Sequence, residues 1–594
     1  MATERTPLVA EPDAVKTAGW PRHNSGDLSK HTANQSTTTN IPPEESSVAL
    51  SAFSHAFVLI GTLLIGWSYG LDGLLRSTYQ SYAASEFGKH SLLATINVLR
   101  NVIAAAAYPP AAKLADVVGR LELTVVSVVV YVAGTAIQAT STSVTWFIVG
   151  AVLYQIGYTA IILLVEVVIA DITSMRSRLL LSYVPAVPFM VNAWVSGDIA
   201  SIVMRNTTWR WGIGMWCIIY TASALPMLIS LYQAGLYGSM DQQHHHKIGV
   251  VRLHQRLVHA FHRLDVVGIG LAVTALALIL TPLTTAGGHL SRWRDPAAIA
   301  SLTLGCLCTV GFVYWESRCA KIPLMPRYLL VDRGVIAALA IRCLLNLAWA
   351  VQANYLYTVL IVAFDFSVAL ATQVTAFFTF FGVLSGLIVG AIVYRTRRLK
   401  PFILLGIILL AASFSILIWF HSGTSTAARN GMLAAQALLG VAAGFCAYPT
   451  QALVQSASKR EHVSAMTGIY LAIFNIGSAV GTCIAGVIWS EVLPSTLEDN
   501  LSFQQNSTLA RSIYQSPFDV VPHFPVGTPI RSAVITSYGK VQVLLAATAL
   551  GLCVPMIAIG PWLSNPKLSE TQAGYGNDRE EENDDDSDDD NDEV

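Results

Sequence analysis

The chain has 594 residues, of which 53% are hydrophobic and only 12% are charged, and its mean hydropathy is +0.53. Soluble globular proteins usually carry about twice that share of charged side chains, so the composition excludes an ordinary soluble domain. The formal net charge of -1 hides an asymmetry, because acidic residues dominate the stretch from Asp578 to Glu593 while the rest of the chain is basic. We therefore expect a membrane protein with an acidic tail and with no nucleic-acid partner.

Apolar runs recur from about Phe53 to Leu563, and each is long enough to cross a hydrocarbon core about 30 Å thick. The period-two alternation of a barrel is absent from the sequence, which favours an all-α membrane protein in a lipid bilayer. We predict fourteen membrane helices, at 53–75, 92–112, 122–140, 145–170, 180–203, 209–232, 264–284, 296–316, 334–363, 368–394, 399–421, 430–455, 463–493 and 539–563.

Basic residues indicate the orientation of these helices. They cluster in loops that follow an even-numbered predicted helix, namely Lys113 with Arg120, Arg176 with Arg178, Arg395 to Lys400, and Lys459 with Arg460. Such loops are cytosolic by the positive-inside rule, so both termini are expected in the cytosol. Glycosylation sequons at Asn206, Asn500 and Asn506 fall on the opposite side, where a glycan can be attached.

A weak internal sequence repeat between the early and late helices predicts two six-helix bundles with two inserted helices between them. Eight scattered cysteines show neither a disulfide framework nor the spacing of a metal site. The predicted segments are a disordered cytosolic N-terminus at 1–51, a bundle at 52–232, a cytosolic linker with a surface-lying helix at 233–263, two inserted helices at 264–333, a second bundle at 334–563 with a long extracellular loop at 494–538, and an acidic tail at 564–594.

Ionisable residues inside membrane spans are costly, which makes each of them a candidate functional residue. A carboxylate in a low-dielectric cavity can carry a proton, and a nearby arginine can hold that carboxylate ionised or bind an anionic substrate. We predict Asp72 or Glu166 as the proton-carrying group, with Arg100 as its partner. The alternative is that Asp72 is merely hydrated near the outer interface and that Glu166 pairs with Arg176 or Arg178.

The other polar and aromatic residues of the spans supply a predicted cavity lining. The chain contains no Gly-x-x-x-x-Gly-Lys-Ser/Thr loop for ATP, so we expect a carrier that is neither a pump nor an enzyme and that has no cofactor and no metal. The predicted lining residues are Asn192, Trp194, Arg342, Asn346, Tyr355 and Tyr357.

The run from Lys113 to Arg120 resembles the loop signature of the major facilitator superfamily. Asp116, Gly119 and Arg120 match that signature, whereas the glycine that usually opens it is replaced near Ala112. In that superfamily the acidic residue and the arginine clamp neighbouring helices during a rocking motion. The resemblance implies a major facilitator fold for the fourteen predicted transmembrane helices.

A wider set of motifs resembles the fungal siderophore-iron transporters. They include Tyr69-Gly70-Leu71-Asp72-Gly73, Asn97-Val98-Leu99-Arg100, Glu166-Val167-Val168-Ile169-Ala170-Asp171 and Val191-Asn192-Ala193-Trp194-Val195-Ser196-Gly197. The resemblance implies proton-driven uptake of a ferric siderophore across a fungal plasma or vesicle membrane, and we expect a monomer. In that family the segment before the last helix handles substrate, which makes Tyr538 a further candidate. The long loop at 494–538 is then interpreted as a lid over a large substrate.

Other transport functions stay open at this point. Fourteen-helix drug–proton antiporters usually carry a Gly-Pro-x-x-Gly-Gly run in helix 5 and an arginine in helix 4. Here helix 5 reads Pro185-Ala186-Val187-Pro188-Phe189, and Tyr154 stands where the arginine would be. Both departures favour import over export of a drug or toxin. A carrier of another metabolite, such as haem or glutathione, and a sensor that does not transport remain alternatives.

Overall fold

A computed structural model describes residues 52–86, 92–173, 175–233, 265–285, 295–320, 332–458, 462–503, 507–515 and 517–568. Within these ranges the chain is helical and has no β-strand. The predicted segment 1–51, nearly all of the linker at 233–263, most of the acidic tail and the sequon residue Asn506 lie outside the described residues.

The described helices follow one another with short connections. In chain order they are α1 Ala52–Glu86, α2 Leu92–Val117, α3 Arg120–Ala139, α4 Val144–Ile172, α5 Met175–Ser182, α6 Pro188–Asn206, α7 Trp209–Gly214, α8 Trp216–Gln233, α9 Val266–Thr285, α10 Pro296–Tyr314, α11 Arg333–Ala353, α12 Leu356–Val362, α13 Val368–Thr396, α14 Lys400–Trp419, α15 Thr426–Ser456, α16 Val463–Asn500, α17 Ser507–Gln515, α18 Pro517–Val520 and α19 Pro529–Ile559.

Twelve helical stretches among the described residues are long and apolar enough to cross a membrane. They correspond to twelve of the fourteen predicted spans. The other two, 92–112 and 264–284, are also helical, as α2 and α9, but neither belongs to that set of twelve. In α2 the apolar character is interrupted by Arg100, by two prolines and by Lys113. The all-helical membrane architecture is therefore confirmed, whereas the number fourteen stays a prediction.

The helices pack into two groups that we call the first bundle, α1 to α8, and the second bundle, α11 to α19. In the first bundle α1 packs on α6 and α8, and α3 packs on α4 and α8. In the second bundle α11 packs on α16 and α19, and α15 packs on α13 and α14. The bundles meet along two seams, where α2 contacts α16 and α6 contacts α13.

The inserted helices α9 and α10 lie over one of these seams. Helix α9 contacts both α2 and α16, and α10 packs mainly on α9. Only 6% of the residues in the apolar window of α10 are buried. An apolar helix with so little buried surface faces lipid, so the inserted pair covers the α2–α16 seam from the membrane side.

One end of the helices, which we call the basic end, carries the loops between α2 and α3, α4 and α5, and α13 and α14. It holds Arg120, Arg176, Arg178 and the run from Arg395 to Lys400. The opposite end differs from the sequence-based boundaries, because α1 continues as a helix to Glu86, past the predicted end of the first span at residue 75. Arg76 is therefore one helical turn from Asp72.

The long loop at the opposite end is shorter than predicted. Helix α16 runs to Asn500 and α19 begins at Pro529, so Tyr538 lies within a helix and not in a loop. Ile513 of α17 and Val521 are buried in the core of the second bundle. Because these contacts tie the segment to one bundle, the structure shows it as a cap on the second bundle, and the lid remains a prediction.

Candidate transport site

Asp72 is completely buried inside the first bundle. Arg76 Nε donates to Asp72 Oδ1 at 3.0 Å, and the hydroxyl groups of Tyr131 and Tyr154 donate to Oδ2 at 2.6 and 2.9 Å. The guanidinium of Arg76 also donates to Gln138 Oε1 at 2.6 Å. Both charges are thus neutralised and hydrogen-bonded by α1, α3 and α4, all within one bundle.

The structure pairs Asp72 with Arg76 and not with Arg100. Arg100 Nε donates to Gln155 Oε1 at 2.9 Å and its Nη1 donates to Gln80 Oε1 at 3.4 Å. Asp72 pairs with Arg76 because the two residues are four apart on a continuous helix and share its face. The predicted end of the first span at residue 75 placed Arg76 outside the membrane helix.

Glu166 of α4 is buried at the interface between the bundles. Gln451 Nε2 of α15, in the second bundle, donates to Glu166 Oε2 at 3.0 Å. Tyr448, which precedes Gln451 by one turn, also forms a side-chain hydrogen bond with Glu166, and Arg342 is close enough to attract its charge. The alternative pairing of Glu166 with Arg176 or Arg178 is not what the structure shows.

Arg342 of α11 is a cation held mainly by aromatic rings. Its guanidinium carbon lies 5.1 Å from the ring centre of Tyr470 and 4.7 Å from that of Phe474. Its Nε atom is buried and has no hydrogen-bond partner among the described residues. The Asn346 amide donates to the Arg342 carbonyl oxygen at 2.8 Å, so that amide is occupied within the helix. Arg342 thus offers a free donor beside Glu166.

Tyrosines of the first bundle that are not among the predicted lining residues extend this centre. Tyr69 and Tyr108 are both near enough to interact electrostatically with Glu166, and Tyr108 hydrogen-bonds to Asn475 of the second bundle. The rings of Tyr69 and Tyr158 meet edge to face at 6.0 Å. Tyr158 and Glu166 are eight residues apart on the same face of α4. This spacing could have indicated that tyrosines surround Glu166.

Of the predicted lining residues, Trp194 lies at the seam between the bundles. Its side chain is 46% exposed, and its ring contacts Phe380 of α13 edge to face at 6.0 Å. Asn192, two residues earlier, is completely buried within the first bundle, where its Nδ2 donates to the Trp67 carbonyl at 3.2 Å. The structure therefore places Trp194, and not Asn192, where both bundles meet.

The remaining predicted tyrosines lie in the second bundle. Tyr355 stacks on Trp489 with ring centres 4.1 Å apart, and Tyr538 meets the same indole edge to face at 5.6 Å. Tyr357 is half-buried against the same core. All of these residues were predicted to line one cavity. The structure separates them into a central group around Arg342 and a second-bundle group around Trp489.

The loop between α2 and α3 at the basic end joins both bundles. Arg120 Nε forms an ion pair with Asp171 Oδ2 at 3.1 Å, and its Nη2 donates to Ser464 Oγ of the second bundle at 3.2 Å. Gly119 adopts φ +116°, a conformation that favours glycine, and this turns the chain from α2 into α3. The side chain of Asp116 is not among those described.

Two further contacts close the basic end between the bundles. Arg176 Nε of the first bundle donates to the Tyr394 carbonyl at 3.0 Å, with its guanidinium over the Tyr394 ring at 4.4 Å. Tyr183 donates through its hydroxyl to the Gly444 carbonyl at 2.8 Å. The contacts of Arg120, Arg176, Tyr183 and Glu166 thus hold this end shut in the conformation described.

The two described sequon residues differ in their surroundings. Asn206 is exposed at the end of α6. Asn500 is half-buried, and its Nδ2, the atom to which a glycan would be attached, donates to Ser537 Oγ at 2.8 Å. Glycosylation therefore stays a prediction, which the geometry supports better at Asn206. Within the described ranges, no three His, Cys, Asp or Glu side chains are grouped so that they could hold a metal ion.

The fold has counterparts among solved structures. The structure of the peptide transporter POT in complex with sulfate superposes with a TM-score of 0.53 at 13% identity, covering 86% of this chain and 94% of that one. Tetrameric PepTSo2 superposes with a TM-score of 0.51 at 13% identity, covering 86% of this chain and 99% of that one. At such identities the likeness shows the fold alone.

The sequence has closer relatives. The model of the Major Facilitator Superfamily matches residues 338–493. The chain is 36% identical to siderophore iron transporter 1 of Saccharomyces cerevisiae, over 87% of this chain and 82% of that protein. It is 32% identical to siderophore iron transporter mirC of Emericella nidulans, over 90% of this chain and 88% of that protein. The chain therefore belongs to the siderophore iron transporters of the major facilitator superfamily, which are membrane carriers and not enzymes.

Proposed function

We propose that this chain imports ferric siderophore chelates across a fungal membrane, driven by protons, with alternating access between its two bundles. The observation that carries the proposal is the hydrogen bond from Gln451 to Glu166, which places a buried carboxylate in contact with both bundles. The substrate class follows from the relatives, which are siderophore iron transporters in two different fungi.

Glu166 is a better proton carrier than Asp72 because of where its partners lie. The partners of Asp72 are on α1, α3 and α4, so a rigid rotation of the first bundle leaves its surroundings unchanged. Glu166 has partners on α15 and α11, so its surroundings change when the bundles separate. A coupling residue must meet that requirement, since its proton affinity has to differ between the two states.

The charge on Glu166 then controls the contact between α4 and α15. When ionised, the carboxylate accepts hydrogen bonds from Gln451 and Tyr448 and attracts Arg342. A proton on Glu166 removes the attraction to Arg342 and weakens the bonds that it accepts. Protonation therefore favours separation of the bundles beside Glu166, and release of the proton favours their return.

The closed basic end supports a direction for the cycle. By the positive-inside rule this end faces the cytosol, and the contacts of Arg120 and Arg176 close it. In this conformation the central group is shut off from the cytosol. Substrate and proton enter from the opposite side, Glu166 is protonated, the cytosolic contacts break, and both are released inside.

Arg342 and the tyrosines around it form the substrate site in this proposal, with Trp194 at its edge. The guanidinium presents a donor that has no partner among the described residues, and the oxygen ligands of a ferric chelate are acceptors with partial negative charge. Aromatic rings supply flat apolar surface for the chelate's organic arms. We infer a monomeric carrier in the plasma or vesicle membrane, with both termini in the cytosol.

Uptake of radio-iron tests the function directly. The chain is expressed in fungal cells that lack their own siderophore carriers, and several ferric siderophores are supplied with and without a protonophore. We expect accumulation of at least one chelate and its loss when the protonophore is present. If no chelate enters above background while cells gain resistance to amphiphilic drugs, the chain is an exporter. Accumulation that the protonophore leaves unchanged would contradict the proton coupling and leave siderophore import supported.

A further inference from the structure

The chain that follows the last membrane helix is fastened to the loop between α13 and α14. The Leu568 amide donates to the Arg397 carbonyl at 3.1 Å, and the Leu568 side chain is buried in the core of the second bundle. In the other direction, Arg398 Nη1 donates to the Asn565 carbonyl at 2.6 Å. Leu568 is also the last described residue. The described chain therefore ends at the basic end, bound to this loop.

The loop and the residues beside it, Arg395 to Lys400, carry four positive charges and no negative one, and we call them the basic run. Arg395 and Arg398 are exposed. Lys400 Nζ donates to the Pro561 carbonyl at 2.7 Å, and this neutral partner leaves the lysine charge in place. Among the described residues, no carboxylate pairs with Arg395, Arg398 or Lys400. The basic run therefore presents exposed positive charge beside the point where the described chain ends.

The sequence beyond Leu568 carries the opposite charge. Residues 578–593, which we call the acidic stretch, contain twelve acidic residues and one arginine. The stretch begins ten residues after Leu568, and ten residues span at most about 35 Å when fully extended. A tether of that length gives a roughly millimolar effective concentration near its anchor, so even a weak ionic attraction is enough for docking.

We propose that the acidic stretch docks on the basic run and stabilises the closed conformation of the basic end. Charge and tethering together select this occupant. Anionic lipid headgroups also attract exposed arginines, but they repel the acidic stretch, which leaves the basic run as its favourable partner. The anchor at Leu568 holds the stretch beside the basic run, which is an advantage over any partner that is free in solution.

The basic run lies at a contact between the two bundles. Arg176 of α5 donates to the Tyr394 carbonyl, and its guanidinium carbon lies 4.4 Å from the centre of the Tyr394 ring. Tyr394 directly precedes Arg395, so cations of both bundles lie close together there. Their mutual repulsion favours separation of the bundles. The negative charge of a docked acidic stretch lowers this repulsion, so docking favours the closed conformation.

The distance between two spin labels tests the docking in the full-length protein, in nanodiscs of neutral phosphatidylcholine. One label is placed at Ser587 in the acidic stretch and the other at Thr396 in the basic run, after the exposed Cys306 and Cys319 are replaced with Ser. We expect a narrow distribution at short distance that broadens and lengthens in about 1 M salt, where the Debye length falls to roughly 3 Å. A broad distribution that salt leaves unchanged would overturn the proposal.

Two double variants identify the surface that holds the acidic stretch. Arg395→Gln with Arg398→Gln removes two exposed charges of the basic run, so its distribution in low salt should be as broad as that of the parent in high salt. Arg205→Gln with Arg511→Gln is the matched control, since it removes two exposed charges at the opposite end and should keep the narrow distribution. Equal broadening in both double variants, or none in the first, would show that the basic run does not hold the stretch.

Neutralising the acidic stretch tests its effect on the closed conformation. All of its acidic residues are replaced with Asn or Gln, and labels at Ser177 and Thr396 report the separation of the bundles at the basic end. In low salt we expect more molecules at the longer distance in this variant than in the parent. Equal distributions would overturn the stabilising role. These distances are measured without substrate and without a proton gradient, so their outcome is independent of the proposed transport function.

Discussion

The carboxylate of Glu166 accepts a hydrogen bond of 3.0 Å from Gln451 Nε2, and this contact joins the two bundles inside the membrane. Three other contacts between the bundles, those of Arg120, Arg176 and Tyr183, lie toward the same basic end. Glu166 contributes a buried carboxylate to this set of contacts. The proposed coupling of protonation to bundle separation rests on that position.

Replacing Gln451 with Leu should favour opening of the basic end. The lost hydrogen bond to a charged group contributes roughly 1.5–3 kcal/mol, which corresponds to about a ten- to hundredfold shift in the ratio of closed to open molecules. Spin labels at Ser177 and Thr396, one on each bundle, report the separation by double electron–electron resonance. The population of molecules with the longer distance between the two labels should increase in the variant.

Gln455→Leu is the matched control for that experiment. Gln455 is also buried on α15, one turn further along, but its amide donates to Thr467 Oγ1 at 2.8 Å within the second bundle. Its loss should leave the distance distribution unchanged. Equal shifts in both variants would mean that Gln451 acts through helix stability and not through Glu166.

Asp72 and Arg76 should act on stability and not on coupling. Removing one partner of a buried ion pair typically costs about 3–5 kcal/mol, so Asp72→Ala and Arg76→Ala should each lower the melting temperature markedly. Replacing both residues with Leu should recover part of the loss, because no uncompensated charge remains. An Asp72→Asn protein that melts normally yet transports nothing would return Asp72 to the coupling role.

Arg342 should determine affinity for the chelate. Arg342→Lys keeps the charge but loses the planar group that lies over Tyr470 and Phe474, so we expect KM to rise with a modest change in kcat. Arg342→Gln should lower uptake further. Asn346→Ala is the comparison, since the Asn346 amide is occupied by a backbone carbonyl of its own helix. If KM changes in Asn346→Ala and stays unchanged in the Arg342 variants, the substrate does not bind at Arg342.

Arg100 should affect the first bundle more than the substrate. Its guanidinium donates to Gln155 and Gln80, both in the same bundle as Arg100. Arg100→Gln should therefore lower the melting temperature while the KM of the surviving protein stays near that of the parent. Normal stability combined with lost uptake would instead support the partner role that the sequence predicts.

Hydropathy was enough to predict the helices and to select Glu166, because a carboxylate within an apolar span is conspicuous in any sequence. The Asp72–Arg76 pair was missed since it depends on a helix boundary, and α1 runs eleven residues past the predicted end, from 75 to 86. Gln451 and Tyr448 were missed for another reason. They are uncharged, and only the tertiary contact between α15 and α4 shows that they face Glu166.

Glu166→Gln tests the central claim most directly, because it keeps the side chain's shape and removes its titration. The purified variant is placed in proteoliposomes and given a ferric siderophore, first under an imposed proton gradient and then for exchange at equal pH. The account predicts that accumulation under the gradient is lost while exchange of internal and external chelate continues. Accumulation that still follows the proton gradient in Glu166→Gln would contradict it.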